Sequence, residues 1–226
     1  MEWLGEQADS YGKIFKSLIP AVPATLEITV FSFALALTLG FIIAFCLLSR
    51  FRALRWAGAI YVDVIRGIPL VVQILFIYFG LGAVLNMDRF PAGIAAISVC
   101  YSAYLGEILR AGIQAIHRGQ FEAAYSLGMS PGQTLWHVVL PQAFRIVLPP
   151  IANEFIACLK DSSLVSVIGL RELTHAGREY LSATYLNFQT WAMVALMYLV
   201  MTFVLSRAAK WLERRLAIPG WSIAAP

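Results

Sequence analysis

Apolar residues occur along this chain in long runs separated by short polar segments. The run from Ile28 to Leu48 contains no charged residue, and an α-helix needs about 20 mainly apolar residues to cross a bilayer. Such runs predict an all-α integral membrane fold in a single domain, residues 1–226, with about five transmembrane helices. The predicted spans are residues 20–48, 57–85, 91–116, 141–170 and 185–206.

The segment before the first run allows two interpretations. Its apolar residues, Ile14, Phe15, Leu18 and Ile19, recur at helical spacing beside Lys13 and Lys16. A short helix with this pattern can lie along the membrane surface. A continuous extension of the first span explains the same residues.

Composition agrees with a chain that lies mostly in lipid. Of its 226 residues, 60% are hydrophobic and 13% are charged, whereas soluble domains carry about 25% charged residues. The net charge of +4 comes from basic residues between the apolar runs, a pattern that indicates membrane topology and no nucleic acid partner. Cys46, Cys100 and Cys158 lie inside apolar runs without a C-x-x-C pair, so we interpret them as packing residues.

The distribution of Lys and Arg predicts the orientation in the membrane. With five spans, nine basic residues fall on one side and five on the other. Cytoplasmic loops carry the excess of basic residues. The N-terminus is therefore expected outside and the C-terminus in the cytoplasm.

Polar residues interrupt the third and fourth predicted spans. They are Glu107, Arg110, Asn153, Glu154, Lys160 and Asp161. A charge at the centre of a membrane helix costs about 2.5 to 3.5 kcal/mol on insertion scales, so such residues usually face a cavity or a partner. We predict that these six residues line a substrate pathway. Two alternatives are that Glu107 pairs with Arg110 and that Lys160 and Asp161 lie at the membrane edge.

Proline and glycine predict irregular backbone near these charges. Gly67 and Pro69 in the second span, and Pro149 and Pro150 in the fourth, should kink their helices, because proline has no N–H to donate. Freed backbone groups in transporter helices often line a cavity. Together with Arg66, the spans carry three basic and three acidic groups, which suits a zwitterionic substrate.

Residues 119–141, between the third and fourth spans, are less apolar and predict two short helices. Gly128 suits the left-handed end of the first helix. Ser130 and Gln133 suit a capping box at the start of the second, which Pro141 should end. The first helix carries small side chains and one carboxylate, at Glu122, Ala123 and Ala124. The pattern predicts a compact cytoplasmic protrusion that fits a groove on another protein.

The same segment resembles a known family signature. It is similar to the E-A-A-x-x-x-G-x(9)-I-x-L-P motif of permease subunits of ATP-binding cassette importers, with Val138 in place of Ile. Further similarity to the polar amino acid uptake branch, which includes histidine, glutamine and arginine permeases, lies in residues 66–73, in Ala103, Tyr104, Glu107 and Arg110, and in residues 141–143, 148–149, 160 and 163–164. The resemblance covers about residues 20–215.

The resemblance implies a pathway-forming subunit of a binding-protein-dependent importer of polar amino acids, in the bacterial cytoplasmic (inner) membrane. It implies that Glu122, Ala123, Ala124 and Gly128 couple to an ATPase dimer, which binds ATP and Mg. A second permease subunit, identical or different, and an extracytoplasmic amino acid binding protein are the other expected partners.

The chain is not expected to be an enzyme or to hold a cofactor or metal. It contains no G-x-x-x-x-G-K-[ST] sequence, so ATP hydrolysis is expected on a partner. Two other functions stay open at this point. One is a proton-coupled secondary amino acid transporter that uses Glu107, Glu154 or Asp161, although the inverted repeats that would favour it are not visible in the sequence. The other is a non-transporting membrane scaffold.

Overall fold

The computed structural model describes residues 2–216, and all regular secondary structure in that range is helical. The α-helices are α1 (Glu2–Leu18), α2 (Val22–Leu48), α3 (Arg52–Gly67), α4 (Leu70–Leu75), α5 (Gly82–Leu85), α6 (Arg89–Gln114), α7 (Arg118–Ser126), α8 (Pro131–Thr134), α9 (Leu140–Asp161), α10 (Leu173–Thr184) and α11 (Asn187–Leu216). Short 3-10 segments occupy Ile19–Ala21 and Ser162–Ile168, and π-helical segments occupy Phe76–Leu81 and Leu135–Val139. The predicted domain 1–226 also includes Met1 and residues 217–226, which lie outside the described residues.

The predicted all-α membrane fold is confirmed. Four helical stretches within the described residues are long and apolar enough to cross a bilayer, or five if one bent pair counts as a single span. The four are Ser10–Leu48, Arg89–Gln114, Pro131–Ile168 and Asn187–Arg215. The bent pair, Arg52–Gly67 with Leu70–Leu81, corresponds to the second predicted span and brings the number of spans to five.

The segment before the first predicted span extends that span. Residues Ser10–Leu48 form one stretch of 39 residues, and Ile14 and Leu18 are fully buried. Both side chains pack in a cluster with Leu173 of α10 and Met197 of α11. Contacts with other helices therefore hold this segment in line with α2. Of the two interpretations of the sequence, the extension of the first span is the one that the structure has, and the surface helix is not.

The second predicted span, residues 57–85, is not one kinked helix. Its helix begins earlier, at Arg52, and stops at Gly67, and the following helical stretch Leu70–Leu81 departs at 100°. Ile68 between them is extended, with φ −105° and ψ 127°. A residue that precedes proline is disfavoured in the helical region. Ile68 is therefore extended, and the helix is interrupted before Pro69 and not merely kinked there.

Glycines bring α2 and α6 into close contact at the centre of the bundle. A Cβ atom at Gly106 would lie 2.7 Å from Ile43 Cγ2, and one at Gly40 would lie 2.9 Å from Leu105 Cβ. Small residues let helix backbones approach in a membrane, where association depends on van der Waals packing. The principal buried cluster, which includes Ile97 and Leu105, lies around this pair of helices.

The expectation that Pro141 ends a helix is wrong. The stretch Pro131–Ile168 continues as 38 residues through Pro141, because the π-helical segment Leu135–Val139 lies immediately before it and Pro141 occupies the first turn of α9. Proline is tolerated in a first turn, where its missing N–H leaves no bond unmade. Pro149 and Pro150 lie farther along, inside α9.

A short helix that the sequence did not indicate, α10, connects the last two long stretches, Pro131–Ile168 and Asn187–Arg215. Its N-cap is Glu172, whose carboxylate accepts the backbone N–H groups of Thr174 and His175 at 2.9 and 2.8 Å. The Tyr198 hydroxyl of α11 donates to the same carboxylate at 2.8 Å. Glu172 is completely buried, so a single carboxylate joins the start of α10 to α11.

Candidate functional site

A polar cavity of about 430 Å³ lies where the broken α3–α4 pair meets α6 and α9. Its lining consists of Arg66, Gly67, Ile68, Pro69, Leu70, Cys100, Tyr101, Tyr104, Glu154, Ala157 and Asp161. Three of these side chains are charged, one from α3 and two from α9. The cavity is therefore the place where intramembrane charges of separate segments meet.

The break between α3 and α4 forms one wall of this cavity. Its open backbone is supported by Gln73, whose side-chain amide donates to the carbonyl oxygens of Ile65 and Ile68, both at 2.9 Å. Buried carbonyl groups that lose their helical partner need another donor. Gln73, one turn into α4, thus stabilises the irregular backbone that carries Gly67 and Pro69.

The acidic wall comes from α9. Glu154 and Asp161 are seven residues apart, which is close to two helical turns, so they lie on one face. Asp161 Oδ2 accepts a hydrogen bond of 2.7 Å from the hydroxyl of Tyr101 on α6. Both carboxylates are only partly buried, so they remain accessible to a molecule in the cavity.

The basic wall comes from the end of α3. The guanidinium carbon of Arg66 lies 4.7 Å from the centre of the Tyr104 ring, within the range of a cation–π contact. Tyr104 also lines the cavity. The aromatic ring therefore positions the Arg66 guanidinium at the wall and leaves its N–H groups able to donate to another partner.

The structure does not bring the other predicted pathway residues into this cavity. Glu107 and Arg110 form an ion pair at 2.6 Å, and Arg110 also donates to Gln114 at 2.6 Å, which is the pairing that their spacing allowed. Asn153 and Lys160 are exposed, one residue away from the acidic stripe of α9. Of the six residues, only Glu154 and Asp161 line the cavity.

Sequence reasoning missed Tyr101, and it treated Cys100 only as a packing residue. Cys100 is buried in the principal cluster and also reaches the cavity wall. A signal for Tyr101 was present, because it precedes Tyr104 by three residues and so shares its helix face. Which face of α6 meets Asp161 depends on how α6 and α9 are rotated against each other, and local sequence does not encode that rotation.

The second candidate region, residues 119–141, contains the predicted glycine turn and capping box, and both are confirmed. Gly128 has φ +79°, a left-handed conformation that glycine adopts without steric cost. Ser130 and Gln133 make both hydrogen bonds of the capping box. The N-cap of α7 is His117, whose Nδ1 accepts the backbone N–H of Gly119 at 3.1 Å.

The surface of this region differs from the expectation at one alanine. Glu122 and Ala123 are exposed, whereas Ala124 is 4% exposed and faces the bundle. Consecutive residues lie about 100° apart on a helix, so Ala124 can lie on the packed side of α7 while Ala123 lies on its exposed side. The exposed apolar residues nearby are Tyr125, Leu127, Leu135 and Trp136, and Leu127 is 82% exposed.

Comparison with known proteins identifies the family. Residues 36–218 match the family described as "Binding-protein-dependent transport system inner membrane component". The arginine transport system permease protein ArtQ of Bacillus subtilis (strain 168) is 38% identical over 211 residues, which cover 89% of this chain and 96% of that protein. The glutamine transport system permease protein GlnP of Escherichia coli (strain K12) is 38% identical over 204 residues, which cover 89% of this chain and 93% of that protein.

Solved structures agree in fold. A chain of a crystal structure of an amino acid ABC transporter with histidines superposes with a TM-score of 0.85 at 38% identity, with 91% of this chain and 97% of that chain covered. A chain of the MetNI methionine ABC transporter in an inward-facing conformation superposes with a TM-score of 0.75 at 18% identity, with 91% and 99% covered, which shows a shared fold. This chain belongs to the family of inner membrane components of binding-protein-dependent transport systems.

Proposed function

We propose that this chain forms the translocation pathway of an ATP-driven importer of polar amino acids. The observation that carries the proposal is the polar cavity, in which Arg66 lies together with Glu154 and Asp161. A free amino acid brings an ammonium and a carboxylate, and burying either group is costly unless it meets a hydrogen-bonded partner of opposite charge. The cavity supplies partners of both signs.

In the proposed binding arrangement, Arg66 donates to the substrate carboxylate. A guanidinium matches a carboxylate in a planar, bidentate geometry. Glu154 and Asp161 accept from the substrate ammonium and from N–H groups of its side chain. The names of the relatives ArtQ and GlnP refer to arginine and glutamine, two amino acids whose side chains carry N–H donors, and this supports the second carboxylate in that role.

The family and the exposed surface support the following proposal for the partners. The ATPase dimer, which binds ATP and Mg, docks on the region around α7 through Glu122, Ala123 and the exposed apolar side chains of Leu127 and Trp136. The buried Ala124 and the left-handed turn at Gly128 maintain the shape of this region. A second permease subunit, identical or different, completes the pathway, and an extracytoplasmic binding protein delivers the amino acid.

The orientation of the chain in the bacterial cytoplasmic membrane belongs to the same proposal. The N-terminus lies outside and the C-terminus in the cytoplasm. In this orientation nine basic residues lie on the cytoplasmic side and five lie outside, as expected from the excess of Lys and Arg in cytoplasmic loops. This places α7 and α8 in the cytoplasm, where a soluble ATPase can reach them. It places α10 outside, where the binding protein arrives.

The test is uptake of radiolabelled arginine and glutamine into proteoliposomes that contain the chain with its co-purified partners. We expect uptake only with internal ATP and external binding protein, and none when the ATPase subunits carry a substitution in their phosphate-binding lysine. Uptake driven by a proton gradient without ATP would instead establish a secondary transporter. If the intact complex showed no uptake under any of these conditions, the chain would be a non-transporting membrane scaffold.

A further inference from the structure

A second cavity lies on the other side of α9 and has a different character. It is a groove of about 340 Å³ between α2, α9 and α11, and every residue that lines it is apolar. Its walls include Phe33, Leu148, Ala152, Phe155, Ala208 and Leu212. The small side chains of three alanines, Ala152, Ala208 and Ala209, leave space between the helices.

The groove faces away from the polar cavity. Leu148, Ala152 and Phe155 form one stripe of α9, and Glu154 and Asp161 form another about 140° away, since each residue advances the helix by about 100°. A side chain of α9 that reaches the groove therefore cannot reach the substrate residues. In a chain that crosses the membrane, a groove with only apolar walls is suited to contact with the hydrocarbon of the bilayer.

Basic side chains stand at one end of the groove. As consecutive spans of a membrane, α9 and α11 are expected to run antiparallel. Leu148 near the start of α9 and Leu212 near the end of α11 both line the groove. Trp211 also lines the groove, and the Arg215 guanidinium lies over its ring at 4.4 Å from the centre. Arg145 is exposed and precedes Leu148 by three residues, which places it on the same face of α9.

The rest of this end of α11 is also basic. Arg207, Lys210, Arg214 and Arg215 occur there with one carboxylate, Glu213. Arg207 serves as a contrast, because its guanidinium lies over Phe203 and neither residue lines the groove. The net charge around this end of the groove is therefore positive. Arg215 adjoins the apolar walls, whereas Arg207 does not.

We propose that the groove binds an anionic phospholipid, with one acyl chain between α9 and α11 and the headgroup phosphate held by Arg145 and Arg215. Apolar walls accept hydrocarbon, and basic pockets between membrane helices attract anionic headgroups. Arg145 and Arg215 can extend to the interface while their methylene chains stay along the apolar surface. Trp211 suits the boundary, since one edge of its ring is apolar and the other carries an N–H donor.

The test uses the quenching of Trp211 fluorescence by lipids with brominated acyl chains. The full chain, co-purified with its partners, is placed in phosphatidylcholine nanodiscs that contain brominated phosphatidylglycerol or, in a parallel series, brominated phosphatidylcholine. The chain has six tryptophans, so the Trp211 signal is the difference between wild type and Trp211→Phe. We expect half-quenching at about a tenfold lower mole fraction of the anionic lipid, as expected for two basic contacts.

Three variants separate headgroup recognition from general lipid contact. The double variant Arg145→Gln/Arg215→Gln should lose the tenfold preference, and the matched control Arg207→Gln should retain it. Ala152→Phe fills the groove and should weaken quenching by both lipids. Equal quenching by the two lipids in wild type, or a preference that survives the double variant, would overturn the proposal. Absence of quenching by either lipid would also overturn it, because a protein segment would then cover the groove.

Discussion

The hydroxyl of Tyr101 on α6 donates a 2.7 Å hydrogen bond to Asp161 Oδ2 on α9. This bond crosses between two membrane helices and ends at the wall of the polar cavity. Tyr101 therefore acts as a positioning residue for the Asp161 carboxylate in the proposed binding arrangement. Because the partner is a carboxylate, the bond should be worth more than a neutral one.

Replacing Tyr101 by Phe should weaken substrate binding without loss of the folded complex. A hydrogen bond to a charged group contributes about 1.5 to 3 kcal/mol, so we expect KM for uptake to rise roughly 10-fold or more with a smaller change in the maximal rate. The matched control is Tyr61→Phe, since the Tyr61 hydroxyl bonds to Ser102 and Val99 outside the cavity. Equal effects in the two variants would indicate general helix packing in place of positioning.

Neutralising the acidic wall should impair transport more strongly. In Glu154→Gln and Asp161→Asn the shape of the side chain is retained while one partly buried charge of the cavity wall is lost. In the proposed arrangement that charge pairs with the substrate ammonium, and an ion pair shielded from water that loses one partner typically costs about 3 to 5 kcal/mol. Uptake by both variants should therefore fall strongly at matched membrane abundance, while the ATPase remains bound.

The control for this prediction is Lys160→Gln. Lys160 adjoins Asp161 in sequence but is exposed and does not line the cavity. Its uptake should stay close to wild type. If Glu154→Gln and Asp161→Asn transported at the wild-type rate and affinity, the two carboxylates would be helix-packing or membrane-edge residues.

The turn at Gly128 offers a test of coupling to the ATPase. Gly128→Val should strain a backbone with φ +79° and displace the surface formed by α7 and α8. Gly132→Val is the matched control, because Gly132 also has open space around it but lacks the positive φ. We expect ATP-driven uptake to fall for Gly128→Val and for the charge reversal Glu122→Lys, with insertion unchanged. Normal uptake in both would remove the docking role from this region.

The proposed orientation can be measured by cysteine labelling with a membrane-impermeant maleimide. In a background without Cys46, Cys100 and Cys158, the exposed positions Asp88→Cys and Arg178→Cys should react from outside. The positions Arg52→Cys, Ser126→Cys and Lys210→Cys should react only after permeabilisation. Labelling of Lys210→Cys from outside in intact cells would contradict the orientation with five spans.

Stability should depend on pH through Glu172, which lies outside the long stretches. Burial raises the pKa of the Glu172 carboxyl above its ordinary value of 4.5, and the hydrogen bonds from Thr174, His175 and Tyr198 only partly offset this. A raised pKa in the folded chain means that the folded state binds the proton more tightly. The contribution to stability is therefore largest below about pH 4.5 and is lost as the pH rises through the raised pKa.

This effect can be isolated by comparing wild type with Glu172→Gln. The Tm difference, wild type minus variant, should decrease steadily from mildly acidic to neutral pH. Glu179→Gln changes a more exposed carboxyl of the same helix, which pairs with Arg171 and His175, and serves as the control. A Tm difference for Glu172→Gln that does not change with pH would mean that the carboxyl keeps its ordinary pKa.

The polar stripe of α9 shows how far sequence spacing reaches. Seven-residue spacing placed Glu154 with Asp161 and Asn153 with Lys160 on adjacent faces, and it could not decide which face meets a cavity. The break at Pro69 shows a similar limit. Proline chemistry predicted irregular backbone there, whereas the 100° angle depends on the contacts that hold α4 against its neighbours.

The amino-acid sequence by itself determined the membrane environment, the helical class, the turn at Gly128 and the capping box at Ser130. Each of these depends on residues that are close together in the chain, since hydropathy, backbone conformation and capping are local properties. Only the tertiary structure decided that Arg66, Tyr101 and Asp161 share one cavity and that Ala124 is buried. These relationships depend on the rotation and crossing of whole helices, which are set by close packing across the bundle, as at Gly40 and Gly106.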